Sequence, residues 1–223
     1  MLKVAVLGLG GRGRNYGTHL ANTKGVEIVS VCDKYQAKID NVKKKWGVPD
    51  EGCFTDDKKF FAQGKVADVM VIATQDRDHY GHAMQALDLG YNLLLEKPVS
   101  PDIAECLAIE KKAREKGLKV LVCHVLRYSN YYRRIHDIIA SGVLGEIMLI
   151  KHDEHIAYWH FAHSYVRGNW RREDETSPML LAKCCHDLDL LYWFTGSKCK
   201  KVSCMGGLYH FKRENAPEGS TDN

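Results

Sequence analysis

The feature that most constrains this chain lies at its start. In "VAVLGLGGRGRN" a short apolar run enters a turn where Gly8, Gly10 and Gly13 stand in G-x-G-x-x-G spacing. A second apolar, β-branched run, "VEIVSVCD", ends in Asp33. An acid about twenty residues beyond the glycines, closing the next strand, completes a dinucleotide-binding pattern. Gly8 permits the tight turn, Gly10 lets backbone approach a pyrophosphate, and Gly13 lets helix and strand pack closely. Gly11 and Arg12 belong to the same turn. The phosphates would sit at a helix N-terminus, where free N–H groups and the dipole favour anions. Asp33 would accept the adenosine ribose hydroxyls, which favours NAD over NADP, and the adjacent Lys34 softens that preference. The plainer alternative is a glycine-rich turn of another α/β protein, with Asp33 as a helix cap.

The rest of the first half keeps the same rhythm. "ADVMVIAT" is apolar on both faces, as a central parallel strand should be, and "YNLLLE" and "LKVLVCH" follow in kind. Helical patterns lie between them at Asn15 to Ala21, Tyr35 to Trp46, His79 to Leu89 and Asp102 to Lys116. Gly90 and Gly117 stand where helix C-caps belong. This alternation predicts an α/β fold with a Rossmann-type, doubly wound parallel sheet over residues 1–123. The pattern changes after about His124. Asn130 to Ser141 reads as a helix, and "EIMLIKHDEHIAY" as a long strand. "WHFAHSYVRGNWRRED" is an aromatic, histidine-rich loop. "SPMLLAKCCHDLDLLYWFTG" reads as a helix capped by Ser177 and closed by Gly196, with Pro178 in its first position. "KKVSCMGGLYHF" reads as a further strand.

Composition narrows the function classes. The net charge of +4 is small and mixed in sign, which argues against a nucleic-acid partner. No apolar run reaches the length of a membrane span, and the N-terminus lacks the cleavage site of a signal peptide. The eight cysteines show neither CxxC pairs nor zinc spacing, so reduced thiols in a cytoplasmic protein are expected, with no metal.

One stretch is odd. In "NLLLEKPVS" a buried-looking strand runs straight into Glu96 and Lys97, and Pro98 stops the ladder. Burying such a pair is costly unless a site uses it. The carboxyl edge of an open α/β sheet is where ligands bind, and this strand delivers Lys97 there.

Three segments in order, "GLGGRG", "ATQDRDHYGHAMQALDLGYNLLLEKPVS" and "CCHDLDLLYWFTG", resemble the Gfo/Idh/MocA oxidoreductases over nearly the whole chain. The resemblance implies that Lys97 stands beside the nicotinamide and the reacting hydroxyl, with Glu96 as counter-charge and the bond to Pro98 cis. It places Thr74, Gln75 and His79 beside the cofactor, although Gln75 and Asp76 replace the family's proline and asparagine. It makes His186 the catalytic histidine, with Asp189 three residues on. The family's aspartate four residues before that histidine is Ala182 here, leaving Lys97, Lys183 and His186 as the catalytic trio. With no carboxylate there, Lys183 is expected to lower the histidine's pKa. His155, Tyr158, Trp170 and Asp189 are candidates for holding a sugar or polyol. His160, His163, Trp159 and Tyr165 share the aromatic loop.

The expected activity is hydride transfer between NAD(H) and a secondary alcohol of a sugar, cyclitol or sugar derivative. Two rivals are NAD-assisted glycoside cleavage and a nucleotide-binding sensor without catalysis. The resemblance also implies that residues 124–223 form a partial α+β substrate and oligomerisation domain with an open sheet. The family is normally longer, so a C-terminally truncated chain and a homo-oligomer are expected.

Overall fold

Six strands form one parallel sheet in the order β3-β2-β1-β4-β5-β6. They are β1 (Leu2–Leu7), β2 (Val26–Cys32), β3 (Cys53–Phe54), β4 (Val69–Ile72), β5 (Asn92–Leu95) and β6 (Val120–Val122). The computed structural model describes residues 1–219, and they divide into two compact units, one of them Met1–Cys123 and the other beginning at His124. In the first unit α1 (Gly11–Ala21), α2 (Gln36–Trp46), α3 (Asp57–Ala62), α4 (His79–Asp88) and α5 (Ile103–Glu115) alternate with the strands.

Parallel strands carry helices on both faces, so their residues are buried on both sides. Val4, Ala5, Val6 and Leu7 of β1 and Met70, Val71 and Ile72 of β4 are all at most 3% exposed. One core layer joins Phe60, Leu87, Tyr91 and Leu95, and the other joins Ile28, Ile39, Val42 and Trp46. Each fully buried aliphatic side chain contributes about 1.5–3 kcal/mol. Chain direction reverses its strand order between β1 and β4, the switch point where such sheets open a ligand crevice. Because every pair is parallel, Gly8, Asp33, Ala73, Glu96 and Cys123 all follow strands at the same carboxyl edge.

The second unit contains α6 (Asn130–Ala140), α7 (Tyr158–Phe161) and α8 (Met179–Thr195), and a π-helical turn, Ala162–Val166, continues α7. Ser129 caps α6 by accepting the Tyr132 N–H, and the His136 ring stacks on Trp193 of α8 at 4.2 Å between centroids. Pro178 is the N-cap of α8 rather than its first residue, and Gly196 closes the helix at φ 61°. Two expectations are corrected. The stretches 146–158 and 200–211 are not strands, and no sheet forms among the described residues of this unit. Both segments have strand-like composition, but a strand exists only where a neighbouring chain takes up its N–H and C=O groups. Met148, Leu149, Val202 and Met205 on these segments are more than 80% exposed.

Candidate active site

The glycine turn has the shape a dinucleotide requires. Gly8 has φ 91°, and a Cβ there would lie 2.4 Å from the Ala73 carbonyl oxygen. A Cβ on Gly13 would lie 1.8 Å from the Gly8 carbonyl oxygen, so only glycine lets α1 sit this close to β1. Gly10 and Gly11 differ: a Cβ on either would meet open space within 4 Å. Gly10 is the N-cap of α1, no side chain caps the helix, and its first turn holds no acid. The leading N–H groups of α1 are therefore available to an anion, and Arg12 beside them is exposed. These residues fit the pyrophosphate of NAD.

Asp33 stands at the next strand end and is 8% exposed. Its Oδ2 accepts the Leu9 N–H at 2.8 Å and the Lys38 ammonium at 3.1 Å, and its Oδ1 accepts the Tyr35 N–H at 3.0 Å. The carboxylate is thus fixed beside the glycine turn and supported from both sides.

The odd stretch resolves at the end of β5. Glu96 is 6% exposed, and the Lys97–Pro98 peptide is cis. Glu96 Oε1 accepts the Tyr16 hydroxyl from α1 at 2.5 Å, and its Oε2 accepts the Lys97 N–H at 2.9 Å. Burial, and then the Glu96 carboxylate, push the Tyr16 phenol far above its ordinary range. Cys123 lies against the same pair, and burial pushes its thiol up to about 12. The Glu96 carboxylate is therefore held in a fixed place beside half-buried Lys97.

His79 is buried at 1% exposure, and its Nδ1 donates to the Pro98 carbonyl oxygen at 2.8 Å. A carbonyl only accepts, so Nδ1 carries the proton. This contact makes His79 a brace for the Lys97–Pro98 turn. Thr74 is half-buried, with its hydroxyl 3.1 Å from Nδ1 of His82, whose Nε2 lies 3.3 Å from Asp57. Gln75 is exposed.

In the second unit α8 presents two groups of polar side chains. His186 is 7% exposed, and its ring meets that of His124 edge-on at 5.8 Å. Asp189 takes Arg127 in a two-pronged pair at 2.7 and 2.6 Å, and His124 Nε2 lies 3.9 Å from it. Both Asp189 oxygens are engaged by this guanidinium, which holds α8 to the chain that follows β6. On the other side Lys183 pairs with Glu154, and Asp187 pairs with His152 Nε2 at 2.8 Å. Burial opposes the charge on Lys183, but Glu154 and then Asp187 outweigh it and hold the ammonium above its usual range. Ala182 is 1% exposed. His155 and Tyr158 are exposed and Trp170 is half-buried. His160 and Tyr165 stack at 6.4 Å between centroids.

Sequence reasoning passed over Tyr16, His152, Glu154 and Asp187. The first is linked to Glu96 across 80 positions, and Glu154 to Lys183 across 29, so no local pattern signals them. Among the described residues no cluster of His, Cys, Asp and Glu could hold a metal, and no helix is long and apolar enough to cross a membrane.

Comparison with known proteins gives a consistent result. Residues 2–124 match the oxidoreductase family with an NAD-binding Rossmann fold, and residues 132–222 match the Gfo/Idh/MocA C-terminal domain. A 4-carboxy-2-hydroxymuconate-6-semialdehyde dehydrogenase from a Sphingobium species is 26% identical over 94% of this chain and 64% of its own length. An inositol 2-dehydrogenase from Salmonella typhimurium is 24% identical over 90% of this chain and 56% of its own length. The crystal structure of a Lactobacillus casei scyllo-inositol dehydrogenase with bound NAD(H) and scyllo-inositol superposes with a TM-score of 0.78 at 24% identity. That match covers 88% of this chain and 56% of the other. The chain thus spans between half and two-thirds of the length of these proteins.

Proposed function

The chain belongs to the Gfo/Idh/MocA oxidoreductase family, with an NAD-binding Rossmann fold over residues 2–124, and from that premise we propose that it oxidises a secondary alcohol of a sugar, cyclitol or sugar derivative. The observation that carries this reading is the Glu96–Lys97–Pro98 turn at the carboxyl edge of the sheet, braced by Tyr16 and His79. Two of the similar proteins are named as inositol dehydrogenases, which supports a cyclitol or a related ring polyol.

NAD, when bound, supplies the hydride acceptor. The α1 N-terminus with Gly10 and Gly11 would hold its pyrophosphate, and Asp33 a ribose hydroxyl. Lys97, as an ammonium, orients the substrate hydroxyl and stabilises negative charge growing on its oxygen, a task that is strongest where water is excluded. His186 takes the hydroxyl proton, which suits imidazole because its ordinary pKa lies near working pH. Lys183 keeps its charge balanced by Glu154, so it supports α8 more than it acts on the substrate. Trp170, Tyr158 and His155 supply stacking and hydrogen-bonding groups for a sugar ring, and Asp189 contributes through Arg127. A cytoplasmic setting, with its dinucleotide pool, and a homo-oligomeric assembly complete the proposal.

The test is to incubate the chain with NAD and inositols deuterated at the carbinol carbon. Deuterium appearing in NADH supports the proposal. Release of a sugar from a glycoside without net NADH would favour cleavage instead, and tight NADH binding with no transfer from any polyol would favour a sensor.

A further inference from the structure

The first unit places two lysines around the carboxylate that reads the adenosine ribose. Lys38 stands on the first turn of α2 with its Nζ 3.1 Å from Asp33 Oδ2. Its ammonium also lies 4.7 Å from the centre of the Tyr35 ring, and that of Lys34 lies 5.2 Å from the same centre. One aromatic ring therefore holds two cations beside a single acid.

Acceptor capacity sharpens the point. An ionised carboxylate offers about four acceptor positions. The Leu9 N–H, the Tyr35 N–H and Lys38 already occupy Asp33. The carboxylate has room for little more than one ribose hydroxyl, through Oδ1. The Lys38 ammonium spends one N–H on Asp33 and keeps its others, and its side chain is 37% exposed. A ribose 2′ substituent at this rim meets a donor as well as an acceptor. Against a 2′-phosphate, Asp33 alone would be repulsive, but Lys38 cancels that charge and Lys34 adds a second cation.

We propose that Lys38 is a specificity-determining residue: it weakens the discrimination of Asp33 against a 2′-phosphorylated dinucleotide and gives this chain measurable affinity for NADPH beside NADH. The proposal rests on Gly10 and Asp33 forming the dinucleotide site. The lysine acts directly, by donating to the 2′-phosphate, and also by partly neutralising the acid.

The experiment is fluorescence titration of the purified chain with NADH and with NADPH, for the unaltered protein, Lys38→Met and Lys38→Arg. Methionine keeps the apolar stem over Tyr35 and removes the charge. In Lys38→Met, NADPH affinity falls on the order of tenfold, the scale of one charge-assisted hydrogen bond, while NADH affinity changes by less than about threefold on the same reasoning. Lys38→Arg keeps the NADPH affinity. Melting temperatures show whether each variant is folded, and Lys38→Gln replaces Lys38→Met if the latter melts early. An equal loss for both cofactors, or no loss for NADPH, overturns the role of Lys38 while leaving the cofactor site standing. Failure of the unaltered chain to bind either dinucleotide overturns the site and the proposal together.

Discussion

Glu96 keeps its place because Tyr16 donates to it, and the partnership has measurable consequences. Tyr16→Phe removes the donor and leaves a buried carboxylate oxygen unsatisfied, at a cost of about 1–3 kcal/mol. Thermal melting of this variant should therefore drop clearly, and an unchanged midpoint would mean that water or another group replaces the phenol. Buried thiols make a second prediction. Burial pushes Cys32 and Cys123 from 9.0 up to about 12. A raised pKa means that the folded chain holds these protons more tightly than the unfolded one. The stability they contribute is present in full below pH 9.0 and is lost as pH rises through about 12. Tyr16, shifted in the same direction, adds to this. Melting temperature should fall across that window, and Cys32→Ala with Cys123→Ala should flatten the fall. A melting temperature that holds steady to pH 12 would refute the shifts. The Glu96-Lys97-Pro98 run was legible in the sequence because charge after an apolar strand is a local anomaly. Tyr16 was not, because its meaning depends on a partner 80 residues away. Lys183 shows the same limit: beside His186 it suggests a lowered histidine pKa, but the sequence does not reveal that Glu154 balances its charge.

At the scale of elements, the turn between β1 and α1 separates two uses of glycine. Gly13→Ala would put a Cβ 1.8 Å from the Gly8 carbonyl oxygen, so the helix must shift and the fold should lose several kcal/mol. Gly10→Ala meets open space and has ordinary dihedrals of φ −67° and ψ −169°, so it should fold with an unchanged melting temperature. Its methyl group would occupy the space through which backbone approaches pyrophosphate, and NADH affinity should fall on the order of tenfold or more. Equal NADH binding by Gly10→Ala and the unaltered chain would place the phosphates elsewhere. Of the six longer helices, five match the sequence reading to within a few residues, as do the central strands; α1 is the exception. That helix begins at Gly11 rather than Asn15, because glycines carry no apolar period from which to read a helix start. β3, of two residues, and α3, of six, were missed because they are too short to show a period. The segments 146–158 and 200–211 read as strands from composition, but pairing is a property of two chains of backbone and not of one.

For the whole molecule, the exposed apolar side chains of Met148, Leu149, Val202 and Met205 predict self-association. Sedimentation velocity over a range of concentrations should show species heavier than the 25.3 kDa chain, and a sharp monomer throughout would contradict this. The boundary between the two units was legible because a parallel βα rhythm stops near His124, where the second compact unit begins. The substrate was not legible, because the proposed ring polyols differ in the orientation of single hydroxyls, and no residue type or spacing encodes that. The proposed activity is transfer of a hydride from a secondary alcohol to NAD with the help of Lys97 and His186. Its most direct test is NADH absorbance with NAD and a panel of inositols, aldoses and sugar acids, for the unaltered chain beside Lys97→Ala and His186→Ala. The expected result is NADH formation with at least one ring polyol, and a loss on the order of a hundredfold or more in each variant at nearly unchanged NADH affinity. Turnover in which both variants match the unaltered chain would contradict it.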